Sequence, residues 1–300
     1  IMDSFKPDII HSHLFLPEII SRSCFYPQAK WFSHMHDNMK QLKRFTLQTL
    51  FSKELISNYF ERLYMMNRYR LNGGTHFIAI SKDAYDFSKE VAPEFDVTLL
   101  HNAVNLEKFK PVDLDRKKLN EKIRIVNVGS FQTKKNQPLL VLIGEELLKR
   151  GVDFEIHFLG DGSTKAGVEE MVNHKKLEGH VHFHGMIENV EEYFWEADVY
   201  VHTATYEPFG LVLIEAMAAG LPVVSLDGKG NRDLIEEGKN GYMIYEQTPS
   251  LFADKIIALA QNKEKYNQMA AYAQQTAQAY EIGEYVDSLL ELFRKAIDSK

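Results

Sequence analysis

Two glutamates, Glu207 and Glu215, stand in the stretch of this chain richest in chemistry, Tyr206-Glu-Pro-Phe-Gly-Leu-Val-Leu-Ile-Glu-Ala-Met-Ala-Ala-Gly220. Glu207 reads as a loop residue, and Pro208 and Gly210 lead from it into a helix. The start of a helix offers unpaired N–H groups and a positive dipole end, a natural seat for phosphate. Gly210 would let a ligand approach the backbone closely. Glu215 is flanked by Leu-Val-Leu-Ile before and Ala-Met-Ala-Ala after. A carboxylate buried there costs several kcal/mol unless it is hydrogen-bonded. A ribose diol would supply two O–H donors to its two oxygens, and Glu207 could bind sugar hydroxyls in the same way. The plainer alternatives are that Glu207 only complements the helix dipole and that Glu215 lies on a solvated face.

Histidines form the second constellation. His11-Ser12-His13 closes one apolar run, and Ser33-His34-Met35-His36-Asp37 closes another. Residues i and i+2 share one face of a strand, so neighbouring strand ends can gather several imidazoles. Three readings follow: a zinc or iron site, ordinary packing or surface histidines, or a role in an active site between domains.

The elements that must position these residues alternate short apolar runs with longer amphipathic stretches, the signature of βαβ units in a parallel sheet. Strands are expected at Ile9–His11, Trp31–His34, His76–Ile80 and Val97–Leu100, with helices over Pro17–Cys24 and Lys82–Val91. Met39–Leu71 is expected to be mostly helical. Lys110–Lys122 is charged, contains Pro111, and reads as an interdomain linker. The alternation then restarts. Strands are expected at Ile123–Val128, Phe154–Leu159, Val181–Phe183, Val199–His202, Pro222–Ser225 and Gly241–Ile244. Helices are expected over Gln137–Arg150, Ser163–Leu177, Val190–Ala197, Leu211–Ala219 and Asn231–Glu237, and almost throughout Pro249–Ser299. In open parallel sheets ligands bind beyond the C-terminal strand ends, where both constellations fall. The second half has enough strands for a complete doubly wound domain. The first half has too few, and the chain opens almost inside a strand, so a preceding segment is expected.

Bulk properties exclude some classes. The chain has 300 residues, 45% hydrophobic and 26% charged, enough for two globular domains. A net charge of −7 argues against nucleic acid as the main partner. The single cysteine, Cys24, cannot form an internal disulfide and fits a reducing cytoplasm. No apolar run of membrane-spanning length is present.

The Glu207/Glu215 segment resembles the Glu-x7-Glu motif of retaining glycosyltransferases, especially glycosyltransferase family 4. Other stretches agree in order: Val128-Gly129-Ser130-Phe131-Gln132-Thr133-Lys134-Lys135-Asn136, Phe158-Leu159-Gly160-Asp161-Gly162, Phe183-His184-Gly185, Ala197-Asp198-Val199, Gly220-Leu221-Pro222-Val223-Val224 and Gly238-Lys239-Asn240-Gly241. Upstream, Asn102-Ala103-Val104-Asn105 resembles the family's Asn-Gly-Val-Asp. The resemblance implies an α/β GT-B fold, two Rossmann-like doubly wound domains with a cleft between them. The expected partition is an incomplete N-terminal acceptor-side domain over 1–117, a donor-binding domain over 118–282, and a C-terminal helix over 283–300 that crosses back to the first domain.

Carried onto this chain, the resemblance implies that Glu215 holds the donor ribose and Glu207 the transferred sugar. The backbone of Phe209, Gly210 and Leu211 would meet the diphosphate or sugar, near the turns at Gly129 and Gly160. Lys135 would neutralise the departing diphosphate, and Ile187 would lie by the base. His13 would face the transferred sugar, because the family commonly has His-x-His at this strand end. His36 and Asp37 are acceptor-side candidates. One departure stands out: the family usually has Arg where this chain has Ser130, so one cation of the expected pair is missing. Lys134 is a candidate helper; both lysines could also be plain solvated residues. The resemblance implies metal-independent transfer with no cofactor. A UDP-, GDP- or ADP-sugar would donate to a glycan or lipid-linked acceptor, in polysaccharide or glycolipid synthesis.

Residues 38–70 hold seven basic side chains against Glu54 and Glu61, net +5, interleaved with Phe45, Leu47, Leu50, Phe51, Leu55, Tyr59, Phe60 and Leu63. This reads either as core-packed helices with solvated basic faces or as a surface for anionic lipid, peripheral on the inner face of the membrane. Three rivals to the transferase reading remain: an epimerase of the same fold, a degenerate protein that binds a nucleotide sugar or a partner without turnover, and a metal-dependent hydrolase built on the histidines.

Overall fold

A computed structural model describes residues 2–111 and 122–299. The chain divides into two compact units, one of residues 1–102 with 283–300 and the other of residues 103–282. The expected domain boundary at 117/118 lies outside the described residues.

The first unit is a four-stranded parallel sheet, β1 (Ile9–His13), β2 (Lys30–Met35), β3 (His76–Ala79) and β4 (Asp96–Leu99), in sequential order. Its helices are α1 (Met2–Phe5), α2 (Phe15–Ser23), α3 (Lys53–Leu71) and α4 (Lys82–Val91). Unlike a doubly wound sheet, the described strands show no reversal of order. Met39–Leu71 is mostly helical, as expected, in three pieces. It holds two short 3-10 turns, Lys40–Leu42 and Leu47–Phe51, before α3 begins. Ser52 causes the break: it is extended, at φ −137° and ψ 124°, and its side chain accepts the Leu55 N–H as an N-cap.

A polar core organises this unit. In α2 the charged residues turn inward while Leu16 and Ile20 face out, 66% and 62% exposed. Glu18 and Arg22 are fully buried. Arg22 Nε donates to Glu18 Oε1 at 3.0 Å, and its guanidinium lies between the Trp31 and Tyr69 rings, 4.6 and 4.5 Å from their centroids. It also donates to the Gly74 carbonyl and to Ser33 and Thr75, while Ser12 and Ser33 donate to the Glu18 carboxylate. A buried ion pair is tolerated only when its remaining donors and acceptors are met in this way.

The second unit carries six parallel strands: β5 (Ile123–Val128), β6 (Phe154–Leu159), β7 (Val181–Gly185), β8 (Val199–His202), β9 (Val223–Leu226) and β10 (Gly241–Ile244). Their spatial order is β10-β9-β8-β5-β6-β7. The winding reverses between β5 and β8, the topological switch point where open sheets bind ligands. Helices α5 (Gln137–Lys149), α6 (Lys165–His174), α7 (Val190–Glu196), α8 (Leu211–Ala218), α9 (Pro249–Gln261) and α10 (Lys263–Gln278) complete it. β5, β6, β9 and β10 bury aliphatic and aromatic side chains with α5 and α9 in one continuous core. The helix expected over Asn231–Glu237 is instead a single 3-10 turn, Gly230–Asp233. The Asn231 side chain holds that turn, accepting the Gly228 N–H at 2.9 Å and donating to Ser225 Oγ at 2.8 Å. Such local side-chain bonds compete with helix formation.

The last helix, α11 (Ile282–Asp298), belongs to the first unit from Gly283 onward. Phe293 packs edge-on against Phe32 on β2, 4.8 Å between centroids, and against His11 at 5.4 Å. Removing one member of the buried pair leaves the other uncompensated. Glu18→Ala is expected to destabilise the first unit by about 3–5 kcal/mol, read as a lower urea midpoint by tryptophan fluorescence from Trp31. An unchanged midpoint would show that the pair is not holding the core.

Candidate donor site and histidine cluster

The residues expected on the donor side gather at the switch point of the second unit. The turn after β5 brings Gly129 against the turn after β6. A Cβ on Gly160 would lie 2.1 Å from the Gly129 carbonyl oxygen, and Gly160 has φ +133°, so only glycine lets these strand ends close up. Gly160 N–H also donates to the Gly185 carbonyl at 2.7 Å, tying in the loop that carries half-buried Ile187.

Glu207 is held on all sides. Its backbone N–H donates to the Gly228 carbonyl at 2.8 Å, and its carbonyl accepts from Gly230 N–H at 3.0 Å. Lys135 Nζ donates to its Oε2 at 2.7 Å, so two residues expected to act separately form an ion pair. The lysine reaches it because the β5 and β8 loops are joined: Thr203 Oγ1 donates to the Lys135 carbonyl at 3.0 Å, and Thr205 N–H to the Lys134 carbonyl at 2.9 Å. Lys134 is exposed, as a plain solvated lysine would be, and Ser130 is exposed too, bringing no charge.

His202, at the end of β8, is a participant that sequence reading missed. It is buried, and its Nε2 lies 3.1 Å from Glu207 Oε2, close in distance but poorly aligned in angle. Its Nδ1 is 3.2 Å from the Tyr200 hydroxyl, which also lies 3.3 Å from the Val128 carbonyl. When the single phenolic proton goes to Nδ1, the imidazole carries its own proton on Nε2, facing Glu207. The signal was weak: one histidine ending an apolar strand. Burial lowers the His202 pKa despite Glu207, so Lys135 is the charged partner. Burial also pushes the Glu207 carboxyl up, but His202 and Lys135 outweigh it and bring the pKa to about 2 from an ordinary 4.5.

The helix mouth lies beside this pair. Gly210, at φ +104°, caps α8 in the left-handed region, Phe209 is buried and Leu211 is exposed. On α8, Leu213, Ile214, Ala216 and Met217 are fully buried, whereas Glu215 is only partly so. Burial raises the Glu215 pKa, Lys108 opposes the shift and Glu191 adds to it. Lys108 is a second residue without a sequence signal; its Nζ pairs with Glu191 at 3.2 Å.

In the first unit, the pairing of β1 with β2 sets His13 opposite His34. His11 Nε2 lies 3.1 Å from His34 Nδ1, and His13 Nδ1 lies 2.7 Å from His36 Nε2. The possible ligand atoms of His11, His13 and His34 all lie within 4.8 Å of one another. Burial, reinforced by the neighbouring imidazoles, lowers His11 to about 4 and His34 to about 2, so both are neutral at pH 7. His13 is exposed.

Residues 111–276 match the family described as glycosyl transferases group 1. The chain belongs to this family. It is 25% identical over 203 residues to the putative glycosyltransferase EpsD of Bacillus subtilis (strain 168), covering 65% of this chain and 53% of the relative. It is 30% identical over 174 residues to the poly(ribitol-phosphate) alpha-N-acetylglucosaminyltransferase of Staphylococcus aureus (strain COL), covering 58% and 35%. This group 1 chain thus spans about half the length of these relatives or less. Among solved structures, HepE of Anabaena in complex with UDP-glucose superposes with a TM-score of 0.81 at 20% identity, covering 98% of this chain and 80% of that one. The two parallel α/β units are Rossmann-like, in agreement with the expected GT-B fold.

The Glu207 carboxyl has a depressed pKa, so its contribution to stability is complete above about pH 4.5 and is lost as pH falls towards 2. Urea midpoints measured between pH 6 and pH 2.5 are expected to fall less steeply in Glu207→Gln than in the wild-type chain. Parallel curves would refute the paired carboxylate.

Proposed function

We propose that this chain is the sugar-transferring part of a retaining glycosyltransferase of the family 4 type. It moves a sugar from a nucleoside-diphosphate sugar to a glycan or lipid-linked acceptor in cell-surface polysaccharide or glycolipid synthesis. The observation that carries the reading is the pairing of Glu207 with Lys135 at the mouth of α8, with Glu215 on the same helix. The name of the S. aureus relative supports an α-linked product, and the solved HepE complex supports a UDP-sugar.

Glu215 would take the ribose hydroxyls, and Glu207 would use its second oxygen, Oε1, for the sugar. The N–H groups at the start of α8 and the remaining Lys135 protons would stabilise the diphosphate as it leaves. With Ser130 uncharged, that task falls more heavily on Lys135 and the helix, and no metal is needed. The departing phosphate would take the acceptor proton. His13 is assigned to the transferred sugar, and His36 and Asp37 to the acceptor side, on the family resemblance. The competing reading, a donor-binding protein without turnover, is favoured by one observation: exposed, uncharged Ser130 stands where the family usually has Arg.

A screen of UDP, GDP and ADP with their common sugars, by calorimetry in EDTA, followed by a product assay with the sugar nucleotide that binds, separates the two. One nucleotide is expected to bind, with affinity reduced about tenfold or more in Glu215→Ala, the scale of a lost hydrogen bond to a charged group. Glu207→Ala and His13→Ala should lower turnover more than nucleotide affinity. Nucleotide binding without product would favour the non-catalytic reading. Equal affinity in Glu215→Ala would sink the ribose assignment.

The surface of residues 38–70 supports peripheral contact with anionic lipid at the cytoplasmic leaflet. Phe51, Leu47, Phe60 and Leu50 are 89%, 78%, 65% and 59% exposed, among exposed Lys40, Lys43, Arg44 and Lys53. No helix among the described residues is long and apolar enough to cross a membrane. Co-sedimentation with phosphatidylglycerol vesicles but not phosphatidylcholine vesicles is expected, and it should be lost in the Leu47→Ser/Phe51→Ser double variant. Equal binding by that variant would assign the surface another role.

A further inference from the structure

A second cluster of titratable side chains lies on β6 and β7, outside the residues used above. Glu155 and His157 are i and i+2 on β6 and share a face. His182 on β7 is the register partner of His157. The parallel pairing therefore presents one carboxylate and two imidazoles on one patch of sheet, with ligand atoms within 4.8 Å of one another.

The hydrogen bonds around His157 show what this patch lacks. His157 Nδ1 lies 3.0 Å from His184 Nε2, and His184 Nδ1 lies 3.1 Å from the Tyr193 hydroxyl. If His184 carries its proton on Nδ1 and donates to Tyr193, its Nε2 accepts from His157 Nδ1–H. His157 Nε2 is then a bare lone pair, 3.5 Å from Glu155 Oε2. With the protons reversed, Nε2–H faces Glu155 across a distance too long for a good hydrogen bond. Either way, His157 Nε2 is buried without a hydrogen-bond partner. A cation at this point would satisfy the lone pair and the carboxylate together. His184 and Tyr193 would orient the ligand from behind, as outer partners of metal-bound histidines do.

We propose that Glu155, His157 and His182 form a transition-metal site that clamps the edge strand β7 to β6. Two imidazoles and one carboxylate suit Zn2+, Ni2+ or Cu2+, whereas Ca2+ and Mg2+ seek several oxygens. Around tetrahedral Zn2+ the ligand atoms stand roughly 3.3 Å apart, given bonds of about 2.0–2.1 Å, a contraction within reach of side-chain rotation. The opposing charges are Lys122, 2.8 Å from Glu155 Oε1, and Arg124, 3.7 Å from Oε2. Lys122 can keep Oε1, and Arg124 has Glu196 as another partner at 3.3 Å. The metal takes Oε2. The site is independent of the transferase reading, although β7 runs into Gly185, whose carbonyl holds Gly160.

The test uses the whole chain, stripped with EDTA, equilibrated with Zn2+ and freed of excess by gel filtration. About one equivalent of zinc is expected by mass spectrometry, with a rise in Tm, and both should be lost in His182→Ala and His157→Gln. The His11→Ala/His34→Ala double variant should retain both. Cu2+ bound to the wild-type chain should show electron-spin-resonance splitting from two nitrogens, a readout that needs no variant to fold. No retained zinc, zinc retained by His182→Ala, zinc lost only in His11→Ala/His34→Ala, or a copper signal without nitrogen splitting would each overturn the proposal.

Discussion

The second unit's site depends on one partly buried ion pair and on the backbone that surrounds it. Glu207 is a loop residue, yet its N–H and carbonyl are bonded to the loop after β9 and its carboxylate to Lys135 from the loop after β5. Three strand-end loops are thereby locked through one residue. A carboxylate with so little exposure cannot remain ionised on its own. His202 and Lys135 together outweigh the cost of burial, and the depressed pKa expresses that balance. The same oxygen, Oε2, accepts from Lys135 and lies 3.1 Å from His202 Nε2.

The first unit solves the opposite problem. Its buried charges are met by groups of the same unit. They form a closed set in which the Glu18 carboxylate and the Arg22 guanidinium meet each other, three side-chain hydroxyls, a carbonyl and two aromatic faces. Buried polar groups so fully satisfied favour one register of α2 against β2 and β3, because any shift would strand a charge. The histidines at the ends of β1 and β2 are gathered by the same pairing, and burial keeps them short of protons.

Much of the fold was legible because parallel sheets write themselves as short apolar runs between amphipathic ones. The strands of the second unit fall where that alternation expects them, and the glycines at 129, 160 and 210 mark turns that close only without a side chain. Side chains decided what the spacing alone left open. Between Met39 and Leu71 the segment is mostly helical, as the spacing expects, and Ser52 divides it by capping α3. After β9, Asn231 spends its side chain on the local turn. In α2 the charged Glu18 and Arg22 turn inward, and their burial was settled by partners 11 to 53 residues away from Arg22.

By itself the sequence determined the fold class, the family, and the residue types available at each strand end, since periodicity, glycine placement and ordered motifs are local properties of the chain. Only the tertiary structure decided which of those residues meet. Lys135 and Glu207 are 72 positions apart, and Tyr200 and His202 join them only because β8 lies beside β5 in the sheet. The meeting of Glu155 and His157 with His182 likewise depends on β6 and β7 pairing in one register, because a slip of one residue would turn the histidines to opposite faces. Pairing and register are set by the burial of the whole sheet, which no single segment encodes.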